Sequence, residues 1–230
     1  MSPTEPNSGI AAVIQRQHHQ EDRLIEGPAG TIELRVERPV GVPSGRIAIV
    51  CHPHPLYGGT LRNKVVHTLA RAALDLGATS IRFNFRGVGA SGGRHADGEG
   101  EIEDAAFVAD WAHREFGAGT LSVLGFSFGA WVALRLAALR PAACLVTIAP
   151  PVQRFAFADC ALPRCPWLLV QGEADELVDA RAVQDWIRGL QRPPDVLLLP
   201  GVGHFFHGQL TALRGAVRDW LGRHSPDAGS

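Results

Sequence analysis

The chain has 230 residues and a formal net charge of -1 at pH 7, and its sequence pI is near 6.8. This balance argues against nucleic acid or an anionic membrane as an obligate partner, because either usually requires a basic face. The length allows one sizeable core, and no Pro/Gly/Ser-rich linker divides it. We therefore expect a mobile N-terminal tail over 1–21, a single domain over 22–222 and a C-terminal tail over 223–230.

The N-terminal segment has no charged stretch followed by a long apolar run, so it does not resemble a signal peptide. The longest apolar runs are of strand length, far below the ~20 residues that span a bilayer. We therefore expect a cytoplasmic protein that has no membrane partner. Reduced thiols are the default in that compartment, although Cys160 and Cys165 lie in one loop and leave a disulfide open.

The first predicted elements form a hairpin. Ile32, Leu34 and Val36 alternate with charged residues, which predicts a half-buried antiparallel strand. The next strand, 47–51, is apolar throughout, as expected of a parallel strand that is covered on both faces. Strands then alternate with helices. Strands are predicted around 80–83, 121–124, 144–148, 167–170 and 196–199, and helices around 62–75, 101–114, 180–190 and 209–221, with one directly after Ser127. The alternation predicts an α/β protein with a doubly wound, mostly parallel sheet.

A serine stands at one of these strand-to-helix turns. The segment 121–129 has the sequence LSVLGFSFG and combines an apolar strand with the pattern G-x-S-x-G, centred on Ser127. In that pattern the serine takes strained backbone angles, and its hydroxyl stands clear at the carboxyl end of the strand. The glycines on either side avoid a collision between a Cβ and the neighbouring strand or helix. A plain Gly/Ser turn is the alternative.

Chemically active residues follow four of the predicted strands, and in open parallel sheets ligands bind beyond the carboxyl ends of strands. The four loops have the sequences HPHPLYGG after Cys51, NFRGVGASG after Phe83, QGEAD after Val170 and GVGHFFH after Leu199.

The order Ser127, Asp175, His204 is that of the catalytic triad of α/β-hydrolases. With the HPHPxxGG, FNFRGxGxSxG, GxSxG, GExD and HFF segments, residues 22–222 resemble the small, cap-less α/β-hydrolases of the dienelactone-hydrolase-like group. The resemblance implies the α/β-hydrolase fold without a lid domain. Dienelactone hydrolases use a cysteine where this chain has Ser127, which argues against lactone substrates.

A serine hydroxyl needs a base within hydrogen-bond reach to become a nucleophile. His204, which follows the last strand, is the expected base, and His207 is the rival. Asp175 is expected to orient the imidazole because it matches the GExD position. The alternatives in the same loop are Glu173, Glu176 and Asp179.

The tetrahedral intermediate needs two N–H donors for its oxyanion. One is expected from the backbone of Phe128, at the start of a helix. The second is expected from the loop after Cys51, where the prolines have no N–H and His54, Leu56 or a later residue remains. The resemblance favours His54.

Other charged groups near these loops have two interpretations. Arg86 is either a partner for a substrate carboxylate or, as we favour, a brace to a carboxylate such as Asp104 or Asp97. The acidic run 97–101 could suggest a hard cation, yet acidic residues also favour the first turn of a helix. The triad chemistry needs no metal or other cofactor.

The segment between the strands that end near Ile148 and begin near Trp167 is too short for a lid domain. We therefore expect side chains at the mouth to form the substrate pocket. The expected pocket residues are Leu56, Tyr57, Phe126, Phe155 and Phe157. The alternative is that these phenylalanines seal the core or a dimer contact, since a homodimer is left open.

The sequence thus predicts a serine hydrolase that acts on small carboxylic esters, or on thioesters, through an acyl-enzyme. A peptidase for short peptides is the alternative enzyme. A catalytically silent binding module is the alternative from another class.

Overall fold

The computed structural model describes residues 18–41, 44–117, 119–157 and 160–225. In these residues strands and helices alternate after an initial hairpin. The strands are β1 (His18–Gly27), β2 (Gly30–Pro39), β3 (Arg46–Cys51), β4 (Thr79–Phe83), β5 (Thr120–Phe126), β6 (Cys144–Ile148), β7 (Trp167–Gly172) and β8 (Asp195–Leu199). The helices are α1 (Lys64–Leu74), α2 (Glu99–Phe116), α3 (Phe128–Leu139), α4 (Ala180–Arg188) and α5 (Leu210–His224), with a short 3₁₀ helix at Pro55–Tyr57.

The described strands form one eight-stranded sheet in the order β1-β2-β4-β3-β5-β6-β7-β8. The hairpin is antiparallel, and β2 also pairs antiparallel with β4. All other neighbours are parallel. The chain leaves β3 on one side to form β4 and returns on the other side as β5. The switch point of the sheet therefore lies between β3 and β5, which is where ligands bind in such sheets.

Burial explains why these segments are strands. Every residue of β4, β6 and β7 is buried, as expected for parallel strands that are covered by helices on both faces. The hairpin strand β2 alternates between buried and half-buried residues over most of its length. Its buried Leu34 and Val36 lie opposite Phe83 and Ile81 of β4, which joins the hairpin to the core of the sheet.

Two apolar layers lie on opposite faces of the sheet. One contains side chains from α2, α3 and α4, and the other contains side chains from α1 and α5. Helix α3 is buried along most of its length and is apolar on nearly all sides, as expected for a helix inside a core. The prediction of a doubly wound α/β sheet is confirmed.

The ends of the chain differ from their predicted boundaries. Strand β1 begins at His18, inside the predicted tail 1–21, and residues 1–17 lie outside the described residues. The segment 18–21 is polar and shows no alternation. It is nevertheless a strand because it pairs with β2 from His18↔Pro39 onward. Helix α5 continues to His224, inside the predicted tail 223–230.

The described residues between β6 and β7 form turns and bends, with neither helix nor strand. Within the described part of the chain, no helix has both the length and the apolar character that crossing a membrane demands.

Candidate active site

Ser127 occupies the sharp turn between β5 and α3. Its backbone angles are φ 55° and ψ -121°, a conformation that costs a non-glycine residue of order 1–3 kcal/mol. A Cβ on Gly125 would lie 2.0 Å from the carbonyl oxygen of Gly129, and a Cβ on Gly129 would lie 2.3 Å from that of Cys51. Both glycines are therefore required by close backbone packing. This packing also joins the turn to the loop after β3.

Ser127, His204 and Asp175 lie in one hydrogen-bonded series, although they come from the ends of three strands. The Nε2 of His204 is 3.2 Å from the Oγ of Ser127, and its Nδ1 is 2.9 Å from the Oδ2 of Asp175. An ionised carboxylate can only accept, so the Nδ1 donates and the Nε2 is left to accept from the serine hydroxyl. The side chains of His204 and Asp175 are almost fully buried.

The carboxylate of Asp175 is held by four donors. Its Oδ2 accepts from His204 and from the Nε2 of Gln171 at 3.0 Å. Its Oδ1 accepts from the N–H groups of Leu177 and Val178 at 2.9 and 2.8 Å. Burial by itself would raise the pKa of this carboxyl, but the hydrogen bond and charge of His204 and the two backbone N–H groups outweigh it and lower the pKa. The carboxyl therefore stays ionised beside the imidazole.

The rival residues occupy other environments. His207 and Glu173 are exposed. The Oε2 of Glu176 accepts from the backbone N–H of His204 at 3.1 Å, and this bond lowers the pKa of the Glu176 carboxyl. Asp179 accepts from the N–H of Arg181 and caps α4. Of the four rivals, Glu176 is the one that supports the histidine loop.

Two backbone N–H groups near Ser127 are available to an oxyanion. The N–H of Phe128 is the first of α3, where helix N–H groups have no partner within the helix. The N–H of His54 forms no hydrogen bond with another described residue, whereas its carbonyl accepts from the N–H groups of Tyr57 and Gly59. Phe128 and His54 line the same cavity as Ser127.

The buried ring of His52 anchors the loop that carries His54. Its Nε2 accepts from the N–H of Phe85 at 3.0 Å, and its Nδ1 donates to the carbonyl of Pro53 at 2.6 Å. Burial is the main reason that the pKa of His52 is lowered to about 3. The ring is therefore neutral at ordinary pH and acts as a fixed connection between the loops after β3 and β4.

Arg86 connects the loop after β4 to α2, as its interpretation as a brace predicts. Its guanidinium binds Asp104 through Nε and Nη2, and its backbone N–H donates to the same carboxylate at 2.9 Å.

In the acidic run, Glu101 lies in the first turn of α2 and accepts from the N–H groups of Gly98 and Ala96. Across the described residues, no group of three or more His, Cys, Asp or Glu side chains is arranged to hold a metal ion.

A cavity of about 690 Å³ opens at this end of the sheet. It is lined by Pro53, His54, Tyr57, Gly58, Gly59, Asn63, Ser127, Phe128, Pro151, Arg154, Phe155, Leu177, Val178, His204 and Phe205. Because it reaches both Ser127 and His204, a substrate in this cavity would meet the reactive hydroxyl directly. The mouth is bordered by exposed apolar side chains, among them Tyr57, Leu177 and Phe205.

Two of the five expected pocket residues, Tyr57 and Phe155, line this cavity, and the other three require correction. Phe126 is fully buried at the end of β5 and packs against the ring of His204 at 5.0 Å. Phe157 is 2% exposed and packs against Trp186 in the core. Leu56 is exposed but borders a separate depression beside Arg86. The pocket was predicted from proximity in sequence, which does not determine the direction of a side chain.

Several described residues of the site were missed by the sequence analysis: His52 and Gln171, which position other groups, and Leu177 and Phe205 at the mouth. A polar residue directly at the end of an apolar strand was the available indication for the first two. No comparable sequence pattern indicated Arg154, which lines the cavity.

Comparisons with known proteins agree with this geometry. A sequence model described as alpha/beta hydrolase fold matches residues 54–163. The uncharacterized protein RP471 of Rickettsia prowazekii (strain Madrid E) is 37% identical, over 85% of this chain and 86% of that protein. XC6422 of Xanthomonas campestris, described as a member of a/b serine hydrolase without lid, is 40% identical with a TM-score of 0.86, over 98% of this chain and 99% of that one. An alpha-beta serine hydrolase homologue from Coxiella burnetii is 42% identical with a TM-score of 0.84, over 87% and 97% of the two chains.

Proposed function

Because the chain belongs to the α/β serine hydrolases, we propose that it cleaves small carboxylic esters through an acyl-enzyme intermediate. The observation that carries the proposal is the series from Ser127 Oγ to His204 Nε2 and from His204 Nδ1 to Asp175, at 3.2 and 2.9 Å. These lengths are those of a nucleophile, a base and an orienting acid within hydrogen-bond reach.

The reaction proceeds in two halves. The Oγ of Ser127 attacks the ester carbonyl while the Nε2 of His204 takes the hydroxyl proton. The N–H groups of Phe128 and His54 bind the oxyanion of the tetrahedral intermediate. The intermediate collapses to the acyl-serine when the imidazolium returns the proton to the departing alcohol. Water then attacks the acyl-serine with His204 as base again, which releases the acid and the free serine.

Asp175 remains ionised during both halves. Its carboxylate holds the Nδ1–H of His204, so the Nε2 faces Ser127 in the form that accepts a proton. The negative charge also stabilises the imidazolium that forms at each step. The four donors around the carboxylate leave it little freedom to rotate, which supports a fixed orientation of the imidazole.

The size of the substrate follows from the cavity. The cavity is open to solvent and has no lid in the described residues, so it can cover the part of an ester near Ser127 and little beyond it. Its walls are largely apolar and aromatic, which suits a short acyl or alcohol group. Thioesters can follow the same route, because a thiolate replaces the departing alcoholate at the same position.

A fluorophosphonate probe tests the proposal. The folded protein is expected to be labelled on Ser127, whereas Ser127→Ala and heat-denatured protein are expected to remain unlabelled. Protein that has not met the probe should hydrolyse p-nitrophenyl acetate faster than an anilide of the same acyl group, and labelling should abolish this turnover. Folded protein that is not labelled would favour a silent binding module, and faster turnover of the anilide or of short peptides would favour a peptidase.

A further inference from the structure

Arg154 is the one charged side chain apart from the histidines in the cavity lining that the structure describes. It lies in the turn that begins at Pro151, whose carbonyl accepts from the backbone N–H of Arg154 at 2.9 Å. Its guanidinium forms no ion pair with a described residue, unlike the brace that Arg86 forms with Asp104. No aspartate or glutamate is among the lining residues. The cavity therefore presents a positive charge that no described neighbour neutralises.

His54 presents a second donor to the same cavity. Its Nδ1 accepts from the backbone N–H of Leu56 at 3.2 Å, so in the neutral ring the proton is on Nε2. Burial, and then the charges of His95 and Arg154, lower the pKa of His54. The nearby buried carboxylate of Glu101 is already bound to His95 at 2.8 Å.

The wall beside Arg154 consists of packed aromatic rings. The ring of Phe155, the next residue, stacks on Trp131 at 5.2 Å and packs against Phe128 at 5.3 Å. The ring of His54 is also 5.0 Å from Phe128. Arg154 and His54 therefore border the same aromatic wall, which adjoins Ser127 in the chain and in space. An anionic group bound at this wall would be separated from the reacting carbonyl by only a short acyl or alcohol chain.

We propose that Arg154 and the Nε2–H of His54 form an anion subsite, and that the substrates are esters that carry a carboxylate besides the ester group. This inference rests on the ester hydrolysis proposed above and narrows its substrate class. The planar guanidinium offers paired N–H donors to the two oxygens of a carboxylate, and the imidazole N–H offers a third. The carboxylate belongs either to the acyl part or to the alcohol part of the ester.

Matched ester pairs test the subsite. For the acyl part, kcat/KM is measured for mono-p-nitrophenyl adipate and for p-nitrophenyl hexanoate, with subtraction of the rate without enzyme. For the alcohol part, 3-acetoxybenzoate is compared with 3-methylphenyl acetate. In at least one pair, Arg154→Gln should lower the ratio of the charged to the neutral ester about tenfold, the lower end expected for a hydrogen bond to a charged group. Arg154→Lys keeps the positive charge but loses the paired N–H donors of the guanidinium, so it should lower this ratio less.

Arg94→Gln is the matched control. Arg94 is exposed and borders the separate depression beside Arg86, so its loss changes the net charge equally without altering the cavity lining. It should leave both ratios as in the wild type. Higher ionic strength should lower the ratio in the wild type more than in Arg154→Gln, because salt screens exposed charges.

The outcomes separate the two proposals. Ser127-dependent turnover of the neutral esters, with both ratios unchanged by Arg154→Gln, would overturn the subsite and leave the esterase proposal standing. Equal losses in Arg154→Gln and Arg94→Gln would also overturn it, because they would reflect net charge alone. No Ser127-dependent turnover of any of the four esters would overturn both proposals.

Discussion

The side-chain amide of Gln171 donates a hydrogen bond to the Oδ2 of Asp175 at 3.0 Å, on the oxygen that also accepts from His204. Gln171 is fully buried at the end of β7, and its Nε2 also lies 3.1 Å from the carbonyl of Gly172. The amide cannot be reversed without turning its oxygen toward the carboxylate. Gln171 is therefore a positioning residue that acts on the imidazole through Asp175.

Replacing Gln171 should change the pH profile as well as the rate. We expect Gln171→Leu to lower kcat about tenfold, because one donor worth about 1.5–3 kcal/mol to a charged group is lost. In Gln171→Glu, a second carboxylate would raise the pKa of Asp175 by like-charge repulsion, and the acid limb of the profile should move to higher pH. The profile of kcat/KM against pH for a neutral ester measures both effects.

The control for Gln171 is Thr147→Val. The hydroxyl of Thr147, on the neighbouring strand β6, accepts from the indole N–H of Trp167 at 2.8 Å, away from the triad. Its loss should lower the melting temperature without moving the pH profile. If Gln171→Leu behaved in the same way, its role would be structural only.

The choice between two histidines is tested by paired variants. We expect His204→Ala to lower kcat on the order of 10⁴- to 10⁶-fold, because base and nucleophile act as a unit. His207→Ala should have little effect, since His207 is exposed and its ring contacts Phe205 rather than the triad. Steady-state kinetics with one short ester are sufficient. A greater loss in His207→Ala would mean that the base has been misassigned.

The acid is tested by three amide variants. We expect Asp175→Asn to lower kcat on the order of 10⁴-fold, because the imidazole would adopt the wrong tautomer. Glu173→Gln should be mild, since Glu173 is exposed. Glu176→Gln should also be mild, because the amide oxygen can still accept from the N–H of His204. A severe loss in Glu173→Gln would transfer the orienting role to that residue.

The sequence predicted the parts of this site that local rules determine. Ser127 could be located because strand, turn and helix follow one another within a few residues, and the close approaches of Gly125 and Gly129 bear out the reason for those glycines. Asp175 and His204 could be located because each follows a strand in a parallel sheet. Parallel order brings such loops to one edge whatever the details of packing.

Other features depend on tertiary contacts that local rules do not contain. Strand β1 begins in a polar segment that has no strand pattern, and its pairing with β2 decides its conformation. Phe126 and Phe128 flank the same serine, yet one is packed beneath His204 and the other lines the cavity. The hydrogen bond from Gln171 to Asp175 depends on the path of the loop after β7, which brings the carboxylate back to the end of that strand.

His52 should make stability depend on pH. Its pKa is about 3 in the folded protein against 6.5 for an ordinary histidine, so the unfolded chain binds this proton first as the pH falls. The stabilisation is fully present above about pH 6.5 and is lost progressively toward pH 3. At ~1.4 kcal/mol for each pH unit, about 2 kcal/mol should be lost between about pH 7 and pH 5.

Urea unfolding at the two pH values measures this loss. His52→Gln should show a smaller difference, because its side-chain oxygen can accept from the N–H of Phe85 without titrating. His207→Gln removes an exposed histidine and should keep the wild-type difference. If the free energy of unfolding changed equally between the two pH values in all three proteins, His52 would have the same pKa in the folded and unfolded chains.

The length of the acyl chain should be limited by the open cavity. Each buried CH₂ contributes about 0.8 kcal/mol, so kcat/KM for p-nitrophenyl esters should rise about fourfold per carbon and level off by roughly six carbons. No activation at an oil-water interface is expected, because the described residues include no lid.

Two phenylalanine variants test the limit on acyl length. Phe155→Ala should extend the rise in kcat/KM to longer acyl chains, since Phe155 lines the cavity. Phe157→Ala should instead destabilise the fold by about 3–5 kcal/mol and leave the length preference unchanged, because Phe157 is 2% exposed in the core. A wild-type rate that rises steadily to long-chain esters would contradict the short pocket and indicate a cover that a second subunit supplies.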